Sequence, residues 1–146
     1  MNGWILYKNP IEESWETQKL VEEFEKQDVK IRVVNPNDVD IFVDREDRKS
    51  IIVGGKPRWL PDFVIPRTGS GTTYFIKAII RHLERLGVTL INGSHAIDTV
   101  KDKLYTQQIL AESNLPVPKT LLLKHPINLD WVEKHLNFPV IIKTLS

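Results

Sequence analysis

The feature that most constrains this chain is its alternation of short apolar runs with amphipathic stretches of helical period. Gly3–Tyr7 (GWILY) is an apolar run closed by Asn9-Pro10 and reads as a strand. Ser14 is placed to cap a helix, and Thr17, Leu20, Val21 and Phe24 follow at helical spacing with Glu and Lys on the other face. Val29–Val34 (VKIRVV) alternates and is β-branched, the pattern of a second strand, and Asn35-Pro36-Asn37-Asp38 is a turn. Asp44–Lys49 is a charged loop without periodicity. Ser50–Val53 and Lys56–Leu60 flank Gly54-Gly55 as the arms of a hairpin flank its turn. Asp62–Pro66 (DFVIP) is a further strand. Beyond it, Phe75, Ile76, Ile79, Ile80, Leu83 and Leu86 form one apolar stripe that Gly87 terminates, and Thr89–Ile91 is a strand. Strands alternating with helices call for an α/β sheet.

The pattern changes near Gly93–Val100, where a domain boundary is expected. Asp102–Ser113 reads as a helix with Leu104, Gln108 or Ile109, and Ala111 inward, broken by Asn114–Pro118. Thr120–Leu123 and Pro139–Lys143 read as strands around a short helix at Leu129–His135. This second part has too little apolar surface to be a complete domain. A length of 146 residues suits one ordinary domain, or a small one plus part of another.

Composition narrows the function classes. A net charge of +1 gives no electrostatic case for nucleic acid or an anionic membrane as partner. The absence of cysteine excludes disulfides, thiol catalysis and thiolate zinc sites. No signal-peptide core and no apolar run of about 20 residues is present, so the cytoplasm is the expected compartment.

Candidate chemistry is confined to a few residues. Pro66-Arg67-Thr68-Gly69-Ser70-Gly71-Thr72-Thr73 leaves a strand and enters a helix. Arg67 could grip a carboxylate or phosphate there, with Gly69 and Ser70 beside it near the N–H groups of the helix start. The same loop reads equally well as a Ser/Thr-capped strand-to-helix turn. It is not a phosphate loop of the Walker type, because no lysine follows the glycines. Lys143 ends an apolar run and Lys103 opens a helix after Asp102. Taken singly, each is a solvated charge by default. Lys103, however, stands at the end of the helix dipole where a cation is disfavoured. His82, His95, His125 and His135 lack metal-ligand spacing and are expected at the surface. Trp4, Trp15, Trp59 and Trp131 are expected in core or hairpin packing. Asp38, Asp40, Asp44, Glu46 and Asp47 form an acidic run without the pattern of a calcium loop.

In order along the chain, these segments resemble one family. FVIPRTGSGTTYFIKAIIRHLERLGVTLIN, the helix around Asp102 and Lys103, NLPVPKT and the run ending VIIKTLS are similar to the front of an ATP-grasp ligase. The resemblance is to the RimK-type glutamate ligases, and it is loose before Ser50 and tight from Phe63 to Pro118. It implies a three-layer α/β/α pre-ATP-grasp domain with a mainly parallel sheet over residues 1–95. Over 96–146 it implies the start of an ATP-binding lobe, cut short. The family joins a carboxylate to an amine with ATP and magnesium, through an acyl phosphate. Lys103 and Lys143 match the lysines that contact ATP, and Arg67, Gly69 and Ser70 match the substrate side. The expected partners are ATP and carboxylate and amine substrates (an amino acid, a peptide or a protein C-terminus), with homo-oligomerisation left open. The glycine-rich loop and the magnesium ligands of the family are absent from these residues. The expectation is therefore a ligase portion that is inactive alone and holds no cofactor tightly. The alternatives are a non-catalytic binding module derived from such a ligase and a plain anion-binding α/β domain.

Overall fold

The computed structural model describes residues 1–43, 45 and 51–143, with the backbone but not the side chain of Ser70. Most of the expected charged loop at 44–49, Ser50, and the last three residues lie outside that set. The chain divides into two compact units, Met1–Ala96 and Ile97–Ser146.

In the first unit, β1 (Asn2–Leu6) leads through a 3-10 turn at Ile11–Glu13 to α1 (Trp15–Lys26) and then β2 (Lys30–Val34). A 3-10 turn at Pro36–Asp38 follows, then β3 (Val39–Ile41), β4 (Ile51–Val53) and β5 (Lys56–Pro57). The unit continues with β6 (Phe63–Pro66), a 3-10 turn at Gly69–Gly71, α2 (Tyr74–Arg85) and β7 (Thr89–Leu90). The main sheet has the order β2-β1-β6-β7 and is parallel at every junction. In register, β1 pairs Gly3 with Ile31 on one side and with Phe63 on the other. Gly3 to Leu6 are all buried, as a strand covered on both faces requires.

The crossover from β1 to β2 runs one way along the sheet and that from β6 to β7 runs the opposite way. Right-handed crossovers therefore place α1 and α2 on opposite faces, giving three layers. The side chains agree. The Phe63 ring lies 5.4 Å from that of Phe24 on α1. The next residue, Val64, faces the other way and is fully buried. The α2 helix packs on β7, on β3 and on the Pro36 turn. Its Ile76, Ile79, Ile80 and Leu83 are buried as the stripe requires, but Phe75 at its first turn is exposed.

Helix ends are settled locally. Ser14 Oγ accepts from the Thr17 N–H at 3.1 Å, and Thr73 caps α2 through the Ile76 N–H. Both helices then close with a residue at positive φ, Asp28 (56°) after α1 and Gly87 (86°) after α2. The next N–H reaches back to the last turn, Val29 to the Phe24 carbonyl and Val88 to that of Leu83. The hairpin turn has Gly54 at 59° and Gly55 at 71°, the double positive φ that a two-residue turn of this kind demands. A strand not foreseen from the sequence, β3, pairs antiparallel with β4 and makes a small second sheet, β3-β4-β5. Its alternation is too short to be legible, and pairing with β4 is what makes it a strand.

In the second unit, α3 (Ser94–Lys101) begins before the unit boundary and was not foreseen. It is followed by α4 (Lys103–Glu112) and α5 (Leu129–His135). Asp102 caps α4 by accepting from the Leu104 and Tyr105 N–H groups. Asn114 closes it at positive φ, with the Leu115 N–H on the Leu110 carbonyl. Leu104 and Ile109 are half-buried, while Ala111 is exposed. The strands expected at Thr120–Leu123 and Pro139–Lys143 are not formed among the described residues. A strand exists by pairing, and among the described residues these runs pair with no neighbour; Ile141 and Ile142 are 85% and 91% exposed. Of the tryptophans, Trp4 is buried, whereas Trp15, Trp59 and Trp131 are exposed. Among the described residues no helix is long and apolar enough to cross a membrane.

Two outcomes follow from the core. A Cβ on Gly3 would lie 2.6 Å from Phe63 Cε2, inside a ring that β1 and α1 hold in place. Gly3→Ala should therefore destabilise the chain by about 1–3 kcal/mol in denaturant unfolding. His82, expected at the surface, is buried at 5% exposure. Burial first, and the Arg85 charge second, hold it below its ordinary value of 6.5. The unfolded chain then takes up the proton more readily. Stability should be full above about 6.5 and decline as pH falls from there toward the folded-state value. Unfolding curves between pH 7.5 and 5.5 should show this slope, and His82→Leu should flatten it.

Candidate functional site

The sheet order reverses direction between β1 and β6. With α1 and α2 on opposite faces, a crevice opens at the carboxyl ends of these two strands, the usual ligand position in an open α/β sheet. A cleft of about 610 Å³ lies there, within the range of small-molecule sites. It is lined by Tyr7, Lys8 and Asn9 after β1, by Glu13, Ser14 and Glu16 at the start of α1, and by Pro66 to Gly69 and Gly71 after β6.

Hydrogen bonds of backbone and side chains fix the walls after β1 and β6. The Arg67 N–H donates to the Leu6 carbonyl at 2.9 Å and extends the β1–β6 ladder to the rim. The Tyr7 N–H donates to the Val34 carbonyl, and Asn35 Nδ2 donates to the Lys8 carbonyl at 3.1 Å, so the exit of β1 is tied to the exit of β2. After Arg67, buried Thr68 pairs its hydroxyl with that of Thr72 at 2.7 Å, and Thr72 Oγ1 donates to the Gly69 carbonyl. Gly69 holds φ at +57°, which a side chain would strain. The loop is thus a closed turn with an exposed arginine at its mouth.

Charges of both signs meet in the cleft. Lys8 reaches across from β1, so that a Cβ on Gly71 would strike its Nζ. Buried Ser14 is shared among three groups. It caps Thr17 N–H, pairs with Thr17 Oγ1 at 2.8 Å and donates to Glu16 Oε2 at 3.1 Å. The Glu16 carboxyl is held below the ordinary carboxylate range, chiefly by its own backbone N–H, then by Ser14, and to a smaller degree by the Arg67 charge.

Of the residues singled out from the sequence, Arg67 and Gly69 are brought together in this cleft. Ser70 stands in the same 3-10 turn, its side chain outside the described set. Lys103 occupies the first turn of α4 and Lys143 an exposed stretch assigned to neither helix nor strand, both in the second unit. Lys8, Glu13 and Glu16 escaped the sequence reading. The signal for Lys8 was its place two residues after the first strand of an open sheet, one residue further from β1 than Arg67 is from β6. Among the described residues no group of three or more His, Cys, Asp or Glu is placed to hold a metal ion.

Replacing Ser14 by Ala removes the cap and the bond to Glu16 together. It should cost about 1 kcal/mol of stability and raise the Glu16 pKa toward its ordinary value. A depressed carboxylate stabilises the fold above its unfolded-state value, and that contribution is lost as pH falls through the folded-state value. An NMR titration of the Glu16 side-chain carbonyl in both proteins checks the shift.

A family model, the RimK PreATP-grasp domain, matches residues 1–97. Among curated proteins, the "Probable alpha-L-glutamate ligase" of Marinomonas sp. (strain MWYL1) is 33% identical over 144 residues, covering 97% of this chain and 46% of the relative. "Probable alpha-L-glutamate ligase 1" of Shewanella amazonensis (strain ATCC BAA-1098 / SB2B) is 31% identical over 143 residues, with the same coverage of both chains. The chain thus spans about half the length of the curated relatives it matches. A solved structure of the ATP-grasp ligase PsnB with the precursor peptide PsnA2 and AMPPNP superposes with a TM-score of 0.60 at 16% identity. That match covers 82% of this chain and 46% of the other, and it shows a shared fold. The match over residues 1–97, on a unit whose sheet order and helix placement are those just described, establishes that this chain belongs to the RimK PreATP-grasp domain family.

Proposed function

We propose that residues 1–146 form the substrate-side domain and the first part of the ATP-binding lobe of an ATP-dependent carboxylate–amine ligase that adds glutamate or a similar amino acid. The observation that carries this reading is the cleft at the β1–β6 reversal with Arg67 at its mouth, in a unit that matches the pre-ATP-grasp family over 1–97. The names of the curated relatives support the glutamate-ligase class.

In this reading the γ-phosphoryl group of ATP passes to a substrate carboxylate oxygen and ADP leaves. The amine nitrogen then attacks the acyl carbon, the C–N bond forms, and phosphate departs as the nitrogen sheds its proton. The Arg67 guanidinium is a planar fork suited to a carboxylate or phosphate, and the Gly69–Gly71 turn lets such a group approach the backbone. Lys103 and Lys143 contact ATP. For Lys103 the support is its setting, since its charge adds to the positive end of the α4 dipole beside the Asp102 cap. Magnesium does not fit the described residues, which offer no cluster of ligands. In this reading residues 1–146 alone bind but do not turn over, and the protein works in the cytoplasm.

Two measurements test this. A coupled ADP-release assay on the 146-residue chain with glutamate and magnesium should stay at background; turnover would overturn the assignment of this part as inactive alone. An NMR titration with ATP should shift the amides at the start of α4, and Lys103→Ala should weaken that response about tenfold or more. Arg67→Ala should abolish anion binding at the 67–71 loop, and Lys143→Ala should leave it unchanged. An ATP response confined to the 67–71 loop would instead favour a plain anion-binding domain.

A further inference from the structure

The charges in the cleft come from different segments. Both cations gather on the β6 side. Arg67 belongs to that loop, and the Lys8 ammonium lies against Gly71, with Cε 3.3 Å from where a Gly71 Cβ would be. Both acids come from the segment entering α1, Glu13 at the end of its 3-10 turn and Glu16 in the first helical turn. Ser14, buried between them, aims the Glu16 carboxylate through the 3.1 Å bond to Oε2.

Opposite charges within reach of one another ordinarily pair. The ion pairs between Lys19 and Glu22 and between Lys26 and Glu23 on the outer face of α1 do so. Among the described residues, Lys8 and Arg67 close no ion pair with Glu13 or Glu16, although Arg67 is near enough for its charge to favour the ionised form of Glu16. The main chain beneath each charge is held in place: the Arg67 N–H on the Leu6 carbonyl, the Lys8 carbonyl on Asn35 Nδ2, and the start of α1 by the Ser14 cap. A simple anion would satisfy the cations and face the two carboxylates, with like-charge repulsion. A ligand carrying both signs satisfies both walls.

We infer that this cleft is the subsite for a free α-amino acid in its zwitterionic form, its carboxylate at Arg67 and Lys8 and its ammonium at Glu13 and Glu16. The inference rests on the ligase reading and specifies it: this domain holds the amine substrate, while the carboxylate that receives the phosphoryl group is held elsewhere. The assignment concerns binding alone, and no bond forms or breaks in it. Glu13 and Glu16 thereby become specificity residues that reject an acylated or amine-free acid.

The test is an NMR titration of the nitrogen-15-labelled 146-residue chain with L-glutamate, N-acetyl-L-glutamate and inorganic phosphate as separate probes. L-Glutamate should shift the Gly69 and Gly71 amides and the Arg67 Nε–H. N-Acetyl-L-glutamate keeps both carboxylates and loses the ammonium, and should bind about tenfold or more weakly. Glu16→Gln and Glu13→Gln alter exposed side chains, so the fold should persist, and each should narrow the difference between the two probes. Arg67→Ala should abolish the response to L-glutamate. Equal binding of L-glutamate and N-acetyl-L-glutamate, a response to phosphate as strong as to L-glutamate, or no response at Gly69 and Gly71 would each overturn the inference. The ATP titration reads the amides of α4 instead. Loss of the amino-acid response with the ATP response intact removes this subsite and leaves the ligase reading standing. The reverse result removes the ligase reading and leaves an amino-acid-binding cleft.

Discussion

Everything in the first unit depends on β1 being paired in parallel on both sides, to β2 and to β6. A parallel strand in that position must be apolar on both faces, and Gly3 to Leu6 are buried accordingly. Because the two crossovers leave in opposite directions, their right-handedness separates α1 from α2 and opens the sheet at the carboxyl ends of β1 and β6. The cleft is therefore a consequence of strand order. The same pairing requires Gly3, since the Phe63 ring that reaches Phe24 passes over the place its side chain would take.

The residues at the cleft owe their positions to short-range devices laid over that topology. Arg67 is held by one more rung of the β1–β6 ladder, Lys8 by Asn35 at the end of β2, and Glu16 by the serine that caps its own helix. The first two devices fix the main chain beneath a charged group and the third holds the carboxylate itself, and all three groups stay exposed. The charges thus remain in a polar, solvated setting in which a ligand can replace water at little desolvation cost. Ser14 links stability to this site, because one buried hydroxyl serves the helix cap and the carboxylate together.

How much of this could be read from the sequence differs between the two units. In the first, the elements are long enough for periodicity to declare them. The Ile76–Leu83 stripe, the Ser14 cap, the Gly54-Gly55 turn and the Gly87 stop all lie where the residues placed them. Strand β3 escaped, since three residues carry no period and only β4 makes them a strand. His82 escaped because one polar residue within a helix does not reveal which side the sheet will cover. In the second unit the limits of α4 were legible, with the helix opening at Asp102 and breaking at Asn114, and the structure shows these two residues as its caps. The apolar runs at 120–123 and 139–143 were read as strands from composition, although composition cannot supply the neighbour a strand must bond to.

The sequence by itself determined the local elements, their ends and the α/β class, because these follow from side-chain spacing, φ preference and capping hydroxyls acting within a few residues. It also singled out Arg67 as the residue that leaves a strand toward a helix. Only the tertiary structure decided that β6 lies beside β1, and with it that Lys8, Glu13, Glu16 and Arg67 share one cleft. The physical reason is that strand order rests on pairing between segments about sixty residues apart, Gly3 with Phe63, and no local preference encodes that partnership.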